Sequence, residues 1–247
     1  MAKQVKDAGS VACSARERPR DADMRSAIHA VLFDIDGTLL VTGGAGAVAW
    51  QRAFRELYGV DADIEEHTKA GMTDPEIAEI VFREAIGRDG SKAERAEAIA
   101  AYLSHLGDAV NESSGYRVMP GIEELLPRLI ERGVLLGIVT GNIEAAAQIK
   151  LARGNLNRFF ACGGYGSDSR DRIELTKKAL ERGGAVSGAP VDPTTAIAVG
   201  DTPRDVEAGH GAGIRVVGVA TGSYTVEQLR EAGADWAIRD VTAGFPA

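Results

Sequence analysis

His29-Ala30-Val31-Leu32-Phe33-Asp34-Ile35-Asp36-Gly37-Thr38 reads as a short apolar strand that runs straight into carboxylates. In extended backbone successive side chains alternate, so Asp34 and Asp36 share one face and Ile35 takes the other. Gly37 then permits a turn. A polar strand end feeding an Asp-Gly turn would explain this much without any chemistry. A second stretch repeats the pattern: Ala196-Ile197-Ala198-Val199 leads into Gly200-Asp201-Thr202-Pro203-Arg204-Asp205. Thr202 suits a helix N-cap and Pro203 a first helical turn. Capping leaves Asp201 unexplained, and Asp205, one turn later, can face the same cleft.

Further apolar runs lie outward of these two, at Val134–Val139, Phe159–Cys162, Arg215–Val219 and, more weakly, Trp236–Ile238. Helical patterns separate them at Ile122–Glu131, Ile143–Arg153, Ile173–Arg182, Pro203–Gly211 and Val226–Ala232. Short buried strands alternating with helices of about ten residues predict βαβ units, hence an α/β, Rossmann-like parallel sheet. Such sheets bind ligands at the carboxyl ends of their strands. Residues 45–110 break the rhythm and read as three amphipathic helices near 45–58, 75–86 and 91–109. Glycines 43, 44 and 46 precede them and Ser113-Ser114-Gly115 follow, which predicts a hinged helical insert. The expected division is a tail over 1–27, an α/β core over 28–42 and 117–247, and a helical cap over 43–116.

The 247 residues are 45% hydrophobic and 26% charged, an ordinary globular balance. The net charge of −8 argues against a sequence-independent nucleic-acid binder. No apolar run reaches the roughly 18–20 residues of a membrane span. Cys13 and Cys162 make no disulfide framework, so a reducing, cytoplasmic setting is expected. Residues 1–27 carry six basic and four acidic side chains, which leaves −10 on the remainder. This tail has no apolar segment of a secretory signal and is expected to be mobile.

Acids converging at strand ends repel one another and raise one another's pKa. A hard divalent cation such as Mg²⁺ relieves this, and it commonly binds a carboxylate or two together with substrate phosphate. The acids therefore point to a metal, and the metal to an anionic substrate. Val139-Thr140-Gly141-Asn142 supplies a hydroxyl and amides near a helix start, where anions bind well; Asn142 as a plain N-cap is the competing reading. A cation for the remaining phosphate oxygens is sought among Arg170, Arg172, Lys177 and Lys178.

Asp34-x-Asp36-Gly37-Thr38, then Thr140, then a basic residue, then Gly200-Asp201-x-x-x-Asp205, taken in order, resemble the haloacid dehalogenase superfamily of phosphohydrolases over about residues 29–240. The insert resembles the α-helical cap of its phosphoglycolate phosphatase-like branch. The resemblance implies that Asp34 is a nucleophile forming an aspartyl-phosphate and Asp36 the general acid and base. It implies a Mg²⁺ site of Asp34, the Asp36 carbonyl and Asp201, with Asp205 a further or outer ligand. Thr140 and the Gly141 or Asn142 amide would bind phosphoryl oxygens. The family's Lys-Pro third motif is absent here, and Arg172 is the residue assigned to it, with Arg170 and Lys177 as alternatives. Thr73, Asp74 and Lys69 fall where such caps send a loop over the site, although Thr73-x-x-Glu76 also makes a capping box.

The implied activity is Mg²⁺-dependent hydrolysis of a small phosphomonoester such as phosphoglycolate, a sugar phosphate or a nucleotide. A phosphomutase of the β-phosphoglucomutase type is the near alternative, and Val41–Gly46 lacks the His or Asp expected of one. Asp36 and the second acid cluster argue against dehalogenation. A catalytically silent, phosphate-sensing protein is a further alternative, and a signalling receiver would lack the insert. The expected partner is a small phosphorylated metabolite, with no nucleic acid and no membrane; monomer and homodimer are both open.

Overall fold

The structure is a computed structural model that describes residues 28–69 and 71–247; the tail read over 1–27, Cys13 included, lies outside the described residues. Its strands are β1 (Ala30–Phe33), β2 (Leu40–Val41), β3 (Arg117–Val118), β4 (Leu135–Thr140), β5 (Cys162–Tyr165), β6 (Ala196–Gly200), β7 (Arg215–Val219) and β8 (Trp236–Ile238). Its helices are α1 (Ala45–Tyr58), α2 (Ile64–His67), α3 (Asp74–Val81), α4 (Lys92–Glu112), α5 (Ile122–Glu131), α6 (Glu144–Arg153), α7 (Arg172–Ser187), α8 (Pro203–Gly211) and α9 (Val226–Glu231). Six strands form one parallel sheet in the order β5-β4-β1-β6-β7-β8. The chain leaves β1 toward β4 on one side and returns to β6 on the other. The carboxyl ends of β1, β4 and β6 therefore flank the switch point, where α/β sheets bind ligands.

Alternation along the strands builds two cores. Val31, Phe33, Leu136, Ile138, Ile197 and Val217 pack with Ile122, Leu126 and Leu129 of α5. Ala30, Leu32, Val139, Ala198 and Val216 pack on the other face with Leu175 and Ala179 of α7 and Val206 of α8. Each large side chain fully buried in this way contributes about 1.5–3 kcal/mol. The central strand is thus fixed from both faces just before Asp34.

Between β2 and β3, which pair as a two-stranded antiparallel ribbon, lies the helical insert. Trp50, Phe54, Phe82, Tyr102 and Leu106 form its core, joined by Ile143 just before α6 and Ala146 within it. The Trp50 and Tyr102 rings stack at 4.3 Å. The two connecting chains touch at glycines: a Cβ on Gly43 would lie 2.5 Å from Gly115 Cα.

Several boundaries differ from expectation. The strand expected over 159–162 is Cys162–Tyr165, and 157–159 is a 3₁₀ turn. The strand is glycine-rich because α7 lies directly on it; a Cβ on Gly164 would come within 1.9 Å of the Leu175 carbonyl oxygen. Helix α7 continues through Gly183-Gly184 to Ser187, past the expected end at 182. Helix α3 ends at Val81 and continues as one π turn, Phe82–Ile86, closed by Gly87. The β2–β3 ribbon and the one-turn α2 are too short to leave a periodic signal. Among the described residues, no helix is long and apolar enough to cross a membrane.

Candidate active site

Asp34 follows β1 directly, and its backbone N–H still donates to the Val199 carbonyl at 2.9 Å. Asp201 follows β6 in the same way. Asp205 is brought beside them by α8, whose first turn is set by Pro203 and by a capping box between Thr202 and Asp205. The capping reading of Thr202 and Pro203 is thus right, and it also places Asp205. Asp34, Asp201 and Asp205 are all buried, and each offers a carboxylate oxygen within 4.8 Å of the others. Burial first, then the Asp205 charge, raise the Asp34 carboxyl to about 7, although Arg172 pulls the other way. Burial first, then Asp34 and Asp205, raise Asp201 to about 8.

Arg172 opens α7 and is buried. Its Nη2 donates to Asp205 and lies 3.4 Å from Asp34 Oδ1. Burial disfavours its charge, but Asp205 and Asp34 more than offset this and hold it above the ordinary guanidinium range. The two alternatives lie elsewhere: Arg170 is paired with Glu79, and Lys177 with Glu174, both exposed. One guanidinium against three buried acids leaves a deficit of positive charge. A donor set made wholly of carboxylate oxygen suits a hard divalent cation. Gly222 packs close against one of these acids, since a Cβ there would fall 1.7 Å from Asp201 Oδ2. These residues therefore fit a metal of the expected kind.

The Asp36 carboxylate stands apart from this cluster and is half-exposed. Its Oδ2 accepts from Asn142 Nδ2 at 2.7 Å and from Lys150 Nζ at 2.7 Å. Asn142 is no N-cap. Its Nδ2 also donates to Thr140 Oγ1 at 2.8 Å, and its backbone N–H goes to the same oxygen at 3.2 Å. The Gly141 and Asn142 amides both stand at this strand end, beside the cavity that Gly141 and Asn142 line. Thr140 is buried at the end of β4, and its Oγ1 accepts from Asn142.

The insert closes over these residues. Asp74 is buried; its carboxylate accepts from the Ile143 N–H at 2.8 Å and so caps α6 from outside that helix. Its own N–H donates to the Gly141 carbonyl at 3.0 Å. Burial raises its carboxyl to about 6, against the pull of Lys150. Thr73 makes the capping box with Glu76, is fully buried, and does not line the cavity. Asp74 and Lys69 do line it. The cavity, about 510 Å³, runs from Asp34, Asp36, Thr140 and Arg172 to Trp50, Tyr102, Ile64 and Ile77 of the insert. Trp50 is both core and cavity wall.

Two polar side chains that line the cavity are not among the residues singled out from the sequence. Tyr102 lies on α4 close enough to Asp74 and Asp36 that burial and then their charges push its phenol well up. Lys150 is the larger omission. Its signal was present: it falls on the apolar stripe of α6 with Ala146, Ala147 and Leu151, where a lysine does not belong without a partner.

Curated relatives span most of the chain. A phosphoglycolate phosphatase of Synechococcus elongatus is 28% identical over 211 residues, covering 85% of this chain and 92% of its own. An N-acetylmuramic acid 6-phosphate phosphatase of Pseudomonas aeruginosa is 28% identical over 203 residues, covering 80% and 84%. Among solved structures, a β-phosphoglucomutase of Clostridium difficile superposes with a TM-score of 0.66 at 20% identity, covering 86% and 91%, a likeness of fold. Residues 31–219, from β1 to β7 with the acid cluster and the insert between them, match the haloacid dehalogenase-like hydrolases, and the chain belongs to that family.

Proposed function

We propose that this protein is a Mg²⁺-dependent phosphatase of small phosphomonoesters that works through an aspartyl-phosphate on Asp34. One observation carries the reading. Three buried acids and Arg172 meet at the ends of β1 and β6, and Asp34 and Arg172 line one cavity with Thr140 at the end of β4. In the first half-reaction an Asp34 oxygen bonds to phosphorus as the ester oxygen leaves, and Asp36 gives that oxygen its proton. In the second, a water oxygen bonds to phosphorus, the Asp34–phosphorus bond breaks, and Asp36 takes the water's proton. Thr140, Gly141 and Arg172 hold the phosphoryl oxygens. Bound at Asp34, the Asp36 carbonyl, Asp201 and Asp205, the cation supplies charge neutralisation of the transferred group.

Residues 43–116 act as the cap, and the leaving alcohol lies between Trp50, Tyr102, Ile64 and Ile77. A cavity of about 510 Å³ suits a compact metabolite, in keeping with relatives named for phosphoglycolate and for a sugar-acid phosphate. A cytoplasmic setting accords with the cysteine usage, Cys13 and Cys162. Hydrolysis is preferred to phosphomutase chemistry because Val41–Gly46 offers no His or Asp. The test is phosphate release from 4-nitrophenyl phosphate with Mg²⁺, with chelator, and with Asp34→Asn. Metal-dependent turnover lost in the variant is the expected result; undiminished turnover by Asp34→Asn overturns the assignment.

A further inference from the structure

Lys150 stands beside Asp36 and is neither nucleophile, metal ligand nor phosphate ligand in this reaction. Its side chain is 8% exposed, on a helix face otherwise made of alanine and leucine. An ammonium buried to this degree costs several kcal/mol unless it is paired and hydrogen-bonded. Its Nζ donates to Asp36 Oδ2 at 2.7 Å and to Asn142 Oδ1 at 2.6 Å. Asn142 Nδ2 in turn donates to the same Asp36 Oδ2 at 2.7 Å. Asp36, Asn142 and Lys150 thus close a ring of three hydrogen bonds, anchored to β4 through Thr140 Oγ1. The hydrogen bonds that described residues make to Asp36 all end on Oδ2. An oxygen that accepts from two strong donors does not also carry a proton, so the proton of the carboxyl form rides on Oδ1.

We propose that Lys150 is a positioning residue for Asp36: with Asn142 it pins Oδ2 and leaves Oδ1 as the one oxygen that exchanges protons with the leaving group and the attacking water. This rests on the phosphatase reading above, in which Asp36 is the general acid and base. The proton balance is unchanged by it. Oδ1 gives one proton to the departing ester oxygen and regains one from water, while Lys150 keeps all of its own. Two other roles would leave different traces. An ammonium that bound the phosphoryl group would affect every ester alike, and one that only filled the helix face would affect stability alone.

The experiment uses the full chain with Mg²⁺ and follows release of the phenol in a single turnover, so that hydrolysis of the phospho-enzyme does not mask the step. Two substrates are compared: 4-nitrophenyl phosphate, whose leaving group needs little protonation, and phenyl phosphate, whose more basic leaving group needs it. A positioned general acid contributes about 10²–10⁴-fold. For Lys150→Met we expect the saturating rate to fall at least about 100-fold with phenyl phosphate and about 10-fold or less with 4-nitrophenyl phosphate, at little-changed half-saturation. Asp36→Asn is expected to show the same bias. The double variant is expected to be no slower than Asp36→Asn alone, because residues that act as a unit are not additive.

Asn142→Ala removes the other donor to Oδ2 and is expected to share the bias; it decides the matter if Lys150→Met does not fold. Equal losses on both esters, a rise in half-saturation with the rate intact, or unchanged kinetics would each overturn the proposal. No turnover by the wild-type chain would instead overturn the phosphatase reading beneath it.

Discussion

Replacing Asp201 by Asn should stabilise the metal-free protein while abolishing its turnover. Asp201 is 3% exposed, and burial, then Asp34 and Asp205, lift its carboxyl from 3.8 to about 8. A folded-state pKa above the unfolded one means that the folded chain holds the extra proton between about pH 4 and pH 8. The unfolded chain binds fewer protons across that window, so stability falls as pH rises through it. At about 1.4 kcal/mol per pH unit the full window would cost about 5 kcal/mol by pH 8. Relaxation around the charged form offsets part of this, and we take about 2 kcal/mol as the penalty that Asn removes. Asn can still accept from Thr38 Oγ1, which lies 3.3 Å from Asp201 Oδ1. For a chain of this size, 2 kcal/mol corresponds to about 4–8 °C in melting temperature.

The assay is thermal unfolding followed by circular dichroism, at pH 5 and pH 8, in chelator and in Mg²⁺. In chelator the wild type should melt lower at pH 8 than at pH 5. Asp201→Asn should melt about 4–8 °C above it at pH 8 and within about 2 °C of it at pH 5, where the carboxyl is protonated in the folded state. Mg²⁺ should raise the wild type at pH 8 and leave the variant nearly unmoved, since only an intact site gains from mass action. A variant that melts at or below the wild type in chelator at pH 8 would refute the reasoning.

Gly164→Ala should destabilise by about 1–3 kcal/mol, because its Cβ would meet the Leu175 carbonyl at 1.9 Å and force α7 off the sheet; urea unfolding checks this. Asp74→Ala should cost about 1–2 kcal/mol by leaving the Ile143 N–H without its cap, and Asp74→Asn less than about 0.5 kcal/mol because an acceptor remains. The same titration, run on both variants, separates the two.

The sheet and its carboxyl-end cluster were legible because each strand is a run of apolar residues ending in a polar group with no local use for it. Asp34, Thr140 and Asp201 carry that signature in the bare sequence. Arg172 was reachable by its place at a loop-to-helix junction, and burial between Asp34 and Asp205 separates it from Arg170 and Lys177. Strand β5 was misplaced because close helix contact selects glycine, which mimics a turn. A cap reading of Asn142 competed with phosphate binding because its side-chain partners, Asp36 and Lys150, are 106 residues upstream and two helical turns downstream. The cap of α6 comes from Asp74, 69 residues before the N–H that it receives, and no window of local sequence holds that pair.

The apolar core of the insert includes Ile143, which caps α6, and Ala146, which belongs to it; neither is part of the inserted segment. Excising the chain between the two glycine joints would therefore strip one side of a catalytic-core helix, the same helix that presents Lys150. Chimeras that exchange the segment alone between relatives would inherit a mismatched seam at those two positions. The portable unit for recombination is discontinuous: the segment between the joints together with the facing residues of α6. Engineering of new specificities by transplantation should carry both pieces, and the seam at Ile143 and Ala146 is where compatibility between donor and recipient is decided.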